Sequence, residues 1–283
     1  MRARAIGLVV LAAVLWGTTG TAQALGGAEE SPFSLGAVRM AIGAVALGVV
    51  GWRGMKPPRW LAFMVAAMAM AGYQVAFFAG VPRTGVALGS VVAIGSAPVL
   101  AGLLAWLVRG ERPETRWWIA TGMAIIGVAL IAGRPGEADV LGIVLVSLSG
   151  MGYAVYAVAT KYLLEEMSPQ AAMAAVFAGA ALLLAPFLAF ADLEWLGQPQ
   201  GVAAALWLGV GVTALAYLAF ARGLVHLSVG DATTVSLAEP ATATMLGVFL
   251  LGERASWPAW LGVGLVLGAV AVLGRPKPVP VML

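Results

Sequence analysis

Long apolar segments separated by short polar connections run along the whole chain. A helix needs about 20 apolar residues to cross the hydrocarbon core of a bilayer. Ten stretches approach this length between charged residues or prolines, at about 5–25, 33–52, 60–81, 84–108, 116–133, 140–160, 169–191, 200–221, 229–251 and 257–274. They are too long for the strands of a membrane barrel, which have about 10 residues each. The pattern predicts an all-α polytopic membrane protein with ten transmembrane helices.

The composition agrees with this prediction and excludes several classes of function. Of 283 residues, 61% are hydrophobic and 10% are charged, whereas a soluble domain is about 45–50% apolar and about 25% charged. A soluble enzyme and a disordered chain are therefore excluded. The chain has no Cys and a single His, His226, so we expect no cofactor and no bound metal.

The placement of Lys and Arg predicts the orientation of the chain. If the N-terminus is cytoplasmic, twelve basic residues lie on the cytoplasmic side: Arg2, Arg4, Arg53, Lys56, Arg59, Arg109, Arg112, Arg116, Lys161, Arg222, Arg275 and Lys277. Three lie on the other side: Arg83, Arg134 and Arg254. Short cytoplasmic loops carry the excess of positive charge in membrane proteins. Both termini are therefore predicted to be cytoplasmic. Since these residues are scattered along one membrane face, no nucleic-acid partner is expected.

The chain contains an internal repeat. Residues 73–118 align without a gap on residues 215–260 at a shift of 142, which matches Pro98 with Pro240 and Gly110-Glu111-Arg112 with Gly252-Glu253-Arg254. The first two helices of each half match at a shift of 137. The repeats are predicted at 1–136 and 137–283. Because each holds five helices, an odd number, the second repeat enters the membrane from the opposite side. Inverted repeats of this kind are a structural basis for alternating access.

These features resemble the drug/metabolite transporter superfamily, and within it the EamA-type ten-helix exporters. The resemblance covers nearly the whole chain and rests on the two five-helix halves, Trp16-Gly17 in the first span, and the two prolines followed by Gly-Glu-Arg. The bacterial aromatic amino-acid exporters are the most similar type. The resemblance implies a multi-pass protein of the bacterial inner membrane that exports amino acids or related metabolites. It also implies a pathway lined by spans 1, 3, 4, 6, 8 and 9.

Two ionisable residues lie clearly within spans, Arg39 in the second and Glu239 in the ninth. Such residues are costly in a membrane and are functional candidates. Glu239 precedes Pro240, which lacks a backbone donor and interrupts a helix. Three interpretations stay open for Glu239: it binds a substrate amino group, carries a coupled proton, or is a structural partner of Arg39 or of nearby hydroxyls. Arg39 could instead extend to the outer interface.

Polar and aromatic residues at helical spacing mark the remaining candidates. The predicted substrate-binding set is Trp16, Thr19, Gln23, Tyr73, Gln74, Phe77, Tyr153, Tyr156, Tyr217, Ser236 and Glu239. Helix packing is the favoured interpretation of each residue alone, whereas the set that converges on the predicted central spans favours a pathway. Aromatic walls with few charges favour apolar or aromatic zwitterions over phosphorylated metabolites. Pro98 and Pro240, the matched helix breakers, are the predicted hinges.

The sequence therefore predicts a secondary transporter that exports aromatic or apolar amino acids, or related small metabolites, by alternating access. The alternative is a drug or other metabolite exporter of the same fold. A channel and an intramembrane enzyme are disfavoured, because neither rings of charge nor paired catalytic groups occur. The expected partners are a small-molecule substrate and the lipid bilayer. Since two halves can form a complete pathway, a monomer is expected to function.

Overall fold

A computed structural model describes residues 1–26, 32–54, 59–133 and 139–275. Ten apolar helices long enough to span a membrane lie in these ranges, in agreement with the sequence prediction. They are α1 (Arg2–Gly26), α2 (Ser34–Gly51), α3 (Trp60–Gly85), α4 (Val91–Arg109), α5 (Thr115–Ala132), α6 (Val140–Leu163), α7 (Pro169–Leu188), α8 (Pro199–Leu224), α9 (Val229–Leu251) and α10 (Trp257–Gly274). The described residues contain no β-strand. The predicted boundary at 136/137 lies outside them, as do Lys56, Arg134 and Lys277.

Local sequence accounts for several helix ends. The Ser168 and Ser228 hydroxyls accept backbone N–H groups at the starts of α7 and α9, at 3.3 and 3.1 Å, as helix-capping residues do. Asp139 caps α6 in the same way. The hydrogen bond from the Gly142 N–H, assisted by the Arg83 guanidinium, lowers the pKa of the Asp139 carboxyl below its ordinary value.

Three helices depart from regular α-helical geometry inside the membrane. α1 is interrupted at Thr18, whose hydroxyl donates to the Leu15 carbonyl at 2.7 Å. α8 is π-helical over Trp207–Leu215, and α9 is interrupted between Val235 and Ala238. Irregular helices at membrane depth are tolerated where protein buries them or where they line a cavity. α1, α8 and α9 all line the central cavity described below.

The helices pack as two inverted repeats should. At the sequence shifts of the repeat, α2 is equivalent to α7 and α5 to α10, and each of these pairs is in direct contact. α1 packs against α8 and α9, and its equivalent α6 packs against α3 and α4. Equivalent contacts are thus exchanged between the halves, as a pseudo-two-fold axis in the membrane plane requires.

Glycines allow a close approach between the repeats where α5 crosses α10. A Cβ atom at Gly127 would lie 2.7 Å from the carbonyl oxygen of Gly262, closer than real Cβ contacts allow. Small residues at such crossings let two membrane helices pack through their backbones. The α5–α10 contact therefore holds the halves together at a distance from the central cavity.

Candidate functional site

A central cavity of about 370 Å³ lies between the two halves. Its walls come from α1, α2, α3, α4, α6, α8 and α9, that is, from the predicted lining helices with the addition of α2. The lining residues are Trp16, Thr19, Gln23, Arg39, Tyr73, Gln74, Phe77, Phe78, Val81, Pro82, Ala93, Ile94, Ala97, Tyr153, Tyr217, Ser236 and Glu239. A volume of this size is within the range of small-molecule sites, about 300–1,000 Å³.

The structure brings together all of the predicted substrate-binding residues except one. Trp16, Thr19, Gln23, Tyr73, Gln74, Phe77, Tyr153, Tyr217, Ser236 and Glu239 all line the cavity. Tyr156 does not. It is fully buried, and its hydroxyl lies 3.5 Å from the sulfur of Met173 in α7. Although Tyr156 is only three residues beyond Tyr153, its contact with Met173 places it between α6 and α7.

An aromatic cluster forms the end of the cavity that is nearer the termini. The Trp16 ring lies 4.9 Å from Tyr217 and 5.6 Å from Phe220, measured between ring centroids. Tyr217 lies 4.6 Å from Phe177, and Tyr153 contacts Trp16 at 6.5 Å. Edge and tilted contacts at these separations are favourable for aromatic rings. The cavity therefore extends from this cluster toward the ends of α1 and α3 on the opposite side of the membrane.

Arg39 is positioned inside the cavity by Gln74. Its side chain is buried, and Nη2 donates a hydrogen bond to Oε1 of Gln74 at 3.3 Å. This contact ties the guanidinium to α3 within the membrane. The alternative in which Arg39 extends to the interface is therefore not the arrangement in this structure.

Three buried nitrogen atoms of cavity-lining residues have no hydrogen-bond partner within the described residues. They are Nε1 of Trp16, Nε of Arg39 and Nε2 of Gln74. All three can donate a hydrogen bond. Unpartnered buried donors are rare because each one costs free energy. This wall of the cavity therefore has unused capacity to bind an acceptor such as a carboxylate.

Glu239 supplies the acidic group of the cavity. Because Pro240 lacks an N–H, the Ser236 carbonyl accepts a hydrogen bond from the Glu239 N–H at 3.0 Å instead. This tight turn sets the Glu239 side chain at the interruption of α9. Within the described ranges, its carboxylate forms no ion pair with Arg39 within 4.0 Å, and no hydrogen bond from another side chain is found. The direct Arg39–Glu239 pairing that the sequence left open is thus not formed here.

The two predicted hinge prolines differ in their surroundings. Pro98 is buried within α4, which stays helical around it; the non-helical residue of the α3–α4 region is Gly85, with φ of 70°. Pro240 adjoins the break in α9. It also lines a neighbouring cavity of about 450 Å³, which shares Trp16 and Glu239 with the central one. Of these two prolines, only Pro240 lies beside a break in its helix.

Sequence reasoning missed the far end of the cavity. Val81, Pro82, Ala93 and Ile94 line it, and these residues carry no distinctive chemistry. The available signal was Pro82, three residues before Gly85, which marks the turn between α3 and α4. Apolar residues beside such a turn face either lipid or a pathway, and the sequence does not distinguish these two environments.

The cavity presents several groups that can recognise a small molecule. Among residues 1–26, 32–54, 59–133 and 139–275, no three His, Asp or Glu side chains are grouped so that they could hold a metal ion. Donors lie on one part of the wall, an acid lies on another, and aromatic rings lie between them. This arrangement suits reversible binding of a small amphipathic molecule.

Proteins with similar sequences are named as transporters. The chain is 40% identical to "Uncharacterized transporter YwfM" of Bacillus subtilis (strain 168) over 276 residues, which cover 95% of this chain and 93% of the relative. It is 27% identical to the "Probable terminal-alkyne amino-acid exporter" of Streptantibioticus cattleyicolor, over 96% of this chain and 94% of that one. A crystal structure of a protein with 23% identity covers 96% of both chains at a TM-score of 0.83, which shows the same fold.

A family model matches both halves of the chain separately. The matches span residues 3–133 and 140–275, each of which holds five of the ten helices. Both the sequence relatives and the fold neighbour extend over nearly the full length of this chain. The chain is therefore a multi-pass membrane transporter that belongs to the EamA-like transporter family.

Proposed function

We propose that this transporter exports zwitterionic amino acids with aromatic or large apolar side chains, or closely related small metabolites. The observation that carries the proposal is the division of polar groups in the central cavity. Unpartnered donors of Trp16, Arg39 and Gln74 lie on the wall formed by α1, α2 and α3. Glu239, which forms no ion pair with any of the described residues, comes from α9. The first group suits a carboxylate and the second suits an ammonium group.

The rest of the wall favours an apolar or aromatic side chain. Tyr73, Phe77, Tyr153 and Tyr217 line the cavity, and aromatic rings bury apolar groups with little loss of conformational freedom. A phosphorylated substrate would need several cationic groups. Arg39 is the single Lys or Arg among the residues that line the described cavity.

Alternating access is the proposed mechanism, with both termini in the cytoplasm and a monomer as the working unit. The inverted repeat allows the two halves to exchange conformations, which opens the same site to either side in turn. In this structure the aromatic cluster forms the end of the cavity that is nearer the termini. The arrangement is thus that of an outward-facing state if the termini are cytoplasmic, in keeping with the excess of basic residues on that side.

A relative with a printed substrate supports the amino-acid class. The Streptantibioticus cattleyicolor protein is named a probable terminal-alkyne amino-acid exporter and aligns over 96% of this chain. An amino acid with an apolar terminal group has the charge distribution that this cavity would bind. At 27% identity the relative bears on the class of substrate and not on the individual compound.

Flux into proteoliposomes tests the proposal. Phenylalanine, tryptophan, methionine and threonine are supplied with and without a pH gradient, together with two competitors that each lack one charge, N-acetylphenylalanine and phenylalaninamide. We expect saturable flux of the aromatic amino acids and weak inhibition by both single-charge analogues. Equal inhibition by phenylalaninamide would instead favour an exporter of cationic amphipathic drugs. Flux that does not saturate would indicate a channel.

A further inference from the structure

The motif Gly-Glu-Arg ends both α4 and α9, and the two copies lie on opposite sides of the membrane. Their backbones are nearly the same. The glycines before Glu111 and Glu253 have φ of 70° and 73°. Glu111 donates its N–H to the Ala105 carbonyl at 3.3 Å, and Glu253 donates to the Gly247 carbonyl at 3.0 Å. Ala105 and Gly247 are equivalent at the shift of 142. Both carboxylates therefore start from the same local geometry.

The surroundings of the two carboxylates are nonetheless different. Oε2 of Glu111 accepts the backbone N–H of Val229, the first residue of α9, at 2.9 Å. Its Oε1 accepts Nε of Arg109 at 2.8 Å. Glu111 thus connects the end of α4, in the first half, to the start of α9, in the second. A carboxylate at this position also interacts favourably with the helix dipole.

Glu253 has no such connection. It is exposed, and its carboxylate has no hydrogen bond or ion pair within the part of the chain that the structure describes. The repeat nevertheless assigns it a partner, because Val229 is equivalent to Ala87, which lies in the first helical turn after the break at Gly85 that leads into α4. Glu253 would cap α4 just as Glu111 caps α9.

The difference between the two glutamates matches the side on which the pathway is closed. Glu111 lies on the side of the termini, where it lines a second cavity of about 630 Å³ that shares no lining residue with the central one. Glu253 lies on the side toward which the cavity extends. Neither glutamate lines the central cavity, so neither is placed to bind substrate there. The carboxylate that bridges the halves is the one on the closed side.

We propose that Glu111 and Glu253 are alternating gate residues. Glu111 stabilises the state closed on the side of the termini by capping α9. Glu253 stabilises the opposite state by capping the start of α4, while Glu111 releases Val229. Both are positioning residues that act through helix α9 or α4. The inference rests on the proposed alternating access and is independent of the substrate.

The absence of Cys from the chain allows a direct test. Ile94, which lines the central cavity, is changed to Cys as a reporter. Its modification by a membrane-impermeant maleimide is then measured without substrate, in intact cells and in inside-out vesicles, so that each membrane face is sampled separately. The variants Glu111→Ala, Glu111→Gln, Glu253→Ala and Glu165→Ala are compared in this background.

Opposite shifts are expected from the two gate residues. Glu111→Ala should lower modification from the face opposite the termini and raise it from the face of the termini, with a change in the equilibrium on the order of tenfold, as expected for a charge-assisted hydrogen bond. Glu253→Ala should lower modification from the face of the termini. Glu111→Gln should shift the equilibrium in the same direction as Glu111→Ala but by less, because its amide oxygen can still accept the Val229 N–H without the negative charge.

Glu165→Ala is the matched control. Glu165 forms an ion pair of 2.8 Å with Arg109, as Glu111 does, and it makes no described hydrogen bond to α9. It should leave the accessibility of the reporter unchanged. The proposal is overturned if Glu165→Ala shifts the equilibrium as much as Glu111→Ala, or if both alanine gate variants shift it in the same direction.

The Glu253 variant can test the proposal even if Glu111→Ala does not fold. Glu253 is exposed and unbonded in this structure, so Glu253→Ala should fold normally even if Glu111→Ala does not. An unchanged reporter in Glu253→Ala would by itself overturn the proposal. Opposite shifts together with no amino-acid flux would reject the proposed substrate and leave the gate standing.

Discussion

The guanidinium of Arg39 and the amide of Gln74 meet inside the membrane, where Nη2 of Arg39 donates to Oε1 of Gln74 at 3.3 Å. Both side chains are buried, and each keeps one nitrogen without a partner in the described chain. A cation held in this way at membrane depth is costly. Its retention is explained if a substrate carboxylate completes its coordination during each transport cycle.

Replacement of Gln74 tests this relationship. Gln74→Leu should keep the volume of the side chain but release the Arg39 guanidinium, so we expect KM for a zwitterionic substrate to rise about tenfold, the effect of one charge-assisted hydrogen bond. Phenylalaninamide, which lacks the carboxylate, should be bound equally by parent and variant. Competition assays in proteoliposomes measure both. A parallel loss of affinity for both ligands would show that Gln74 merely supports packing.

Glu239→Gln should reduce transport strongly while the protein remains folded. The change preserves shape but removes the acidic group of the cavity, so an ammonium group loses its ionic partner. We expect a fall in flux of at least about tenfold, with an unchanged elution profile in detergent. Glu194→Gln, at an exposed acid outside the ten spans, provides the control.

The pH gradient separates the two functional interpretations of Glu239. If the carboxyl carries a coupled proton, flux in the Gln variant should no longer respond to the gradient. If it binds the substrate amino group, the residual flux should keep its response and show a raised KM. Wild-type flux and coupling in Glu239→Gln would leave only a structural role.

Packing between the halves can be tested at glycines of α5. Gly127→Ala would place a Cβ atom 2.7 Å from the Gly262 carbonyl oxygen, whereas a Cβ atom at Gly122 would meet nothing within 4 Å. We expect Gly127→Ala to destabilise the protein by about 1–3 kcal/mol, the usual cost of overpacking. The same substitution at Gly122 should not be destabilising. Thermal unfolding in detergent compares them, and equal midpoints would argue against a close contact.

The fold was more predictable than the details of the site. Length and hydropathy define ten helices because the bilayer imposes a minimum apolar length. Helical spacing also found most of the cavity lining, since Trp16 and Gln23 occupy one face of α1. It could not separate Tyr153, which lines the cavity, from Tyr156, which packs against Met173. That distinction depends on where α7 meets α6.

Polar contacts between residues far apart in the sequence could not be predicted from the sequence either. Glu111 lies next to Arg112 in the sequence, which gives no sign of a distant partner. In the structure Glu111 pairs with Arg109 and accepts the N–H of Val229. The Val229 contact joins residues 118 positions apart, and only the packing of α4 against α9 creates it.

Pro98 and Pro240 occupy equivalent positions in the two halves, and substitutions at both can show which of them acts as a hinge. Pro240 lacks an N–H, so the Ser236 carbonyl accepts from Glu239 at 3.0 Å and α9 is interrupted there. Pro240→Ala would supply the missing donor and allow a continuous α9. We expect this to stabilise the helix against thermal unfolding and to slow transport, because Glu239 would leave its position and the flexible point would be lost.

Pro98→Ala is the matched control at the equivalent position of the first half. α4 remains helical around Pro98. Restoring the backbone N–H at this position should therefore change the path of α4 little. We expect a small effect on flux in Pro98→Ala and a large one in Pro240→Ala, measured in the same liposomes. Equal losses would mean that both prolines act as hinges despite the intact helix at Pro98. Unchanged flux in both variants would place the moving point elsewhere, with the turn at Gly85 as the next position to test.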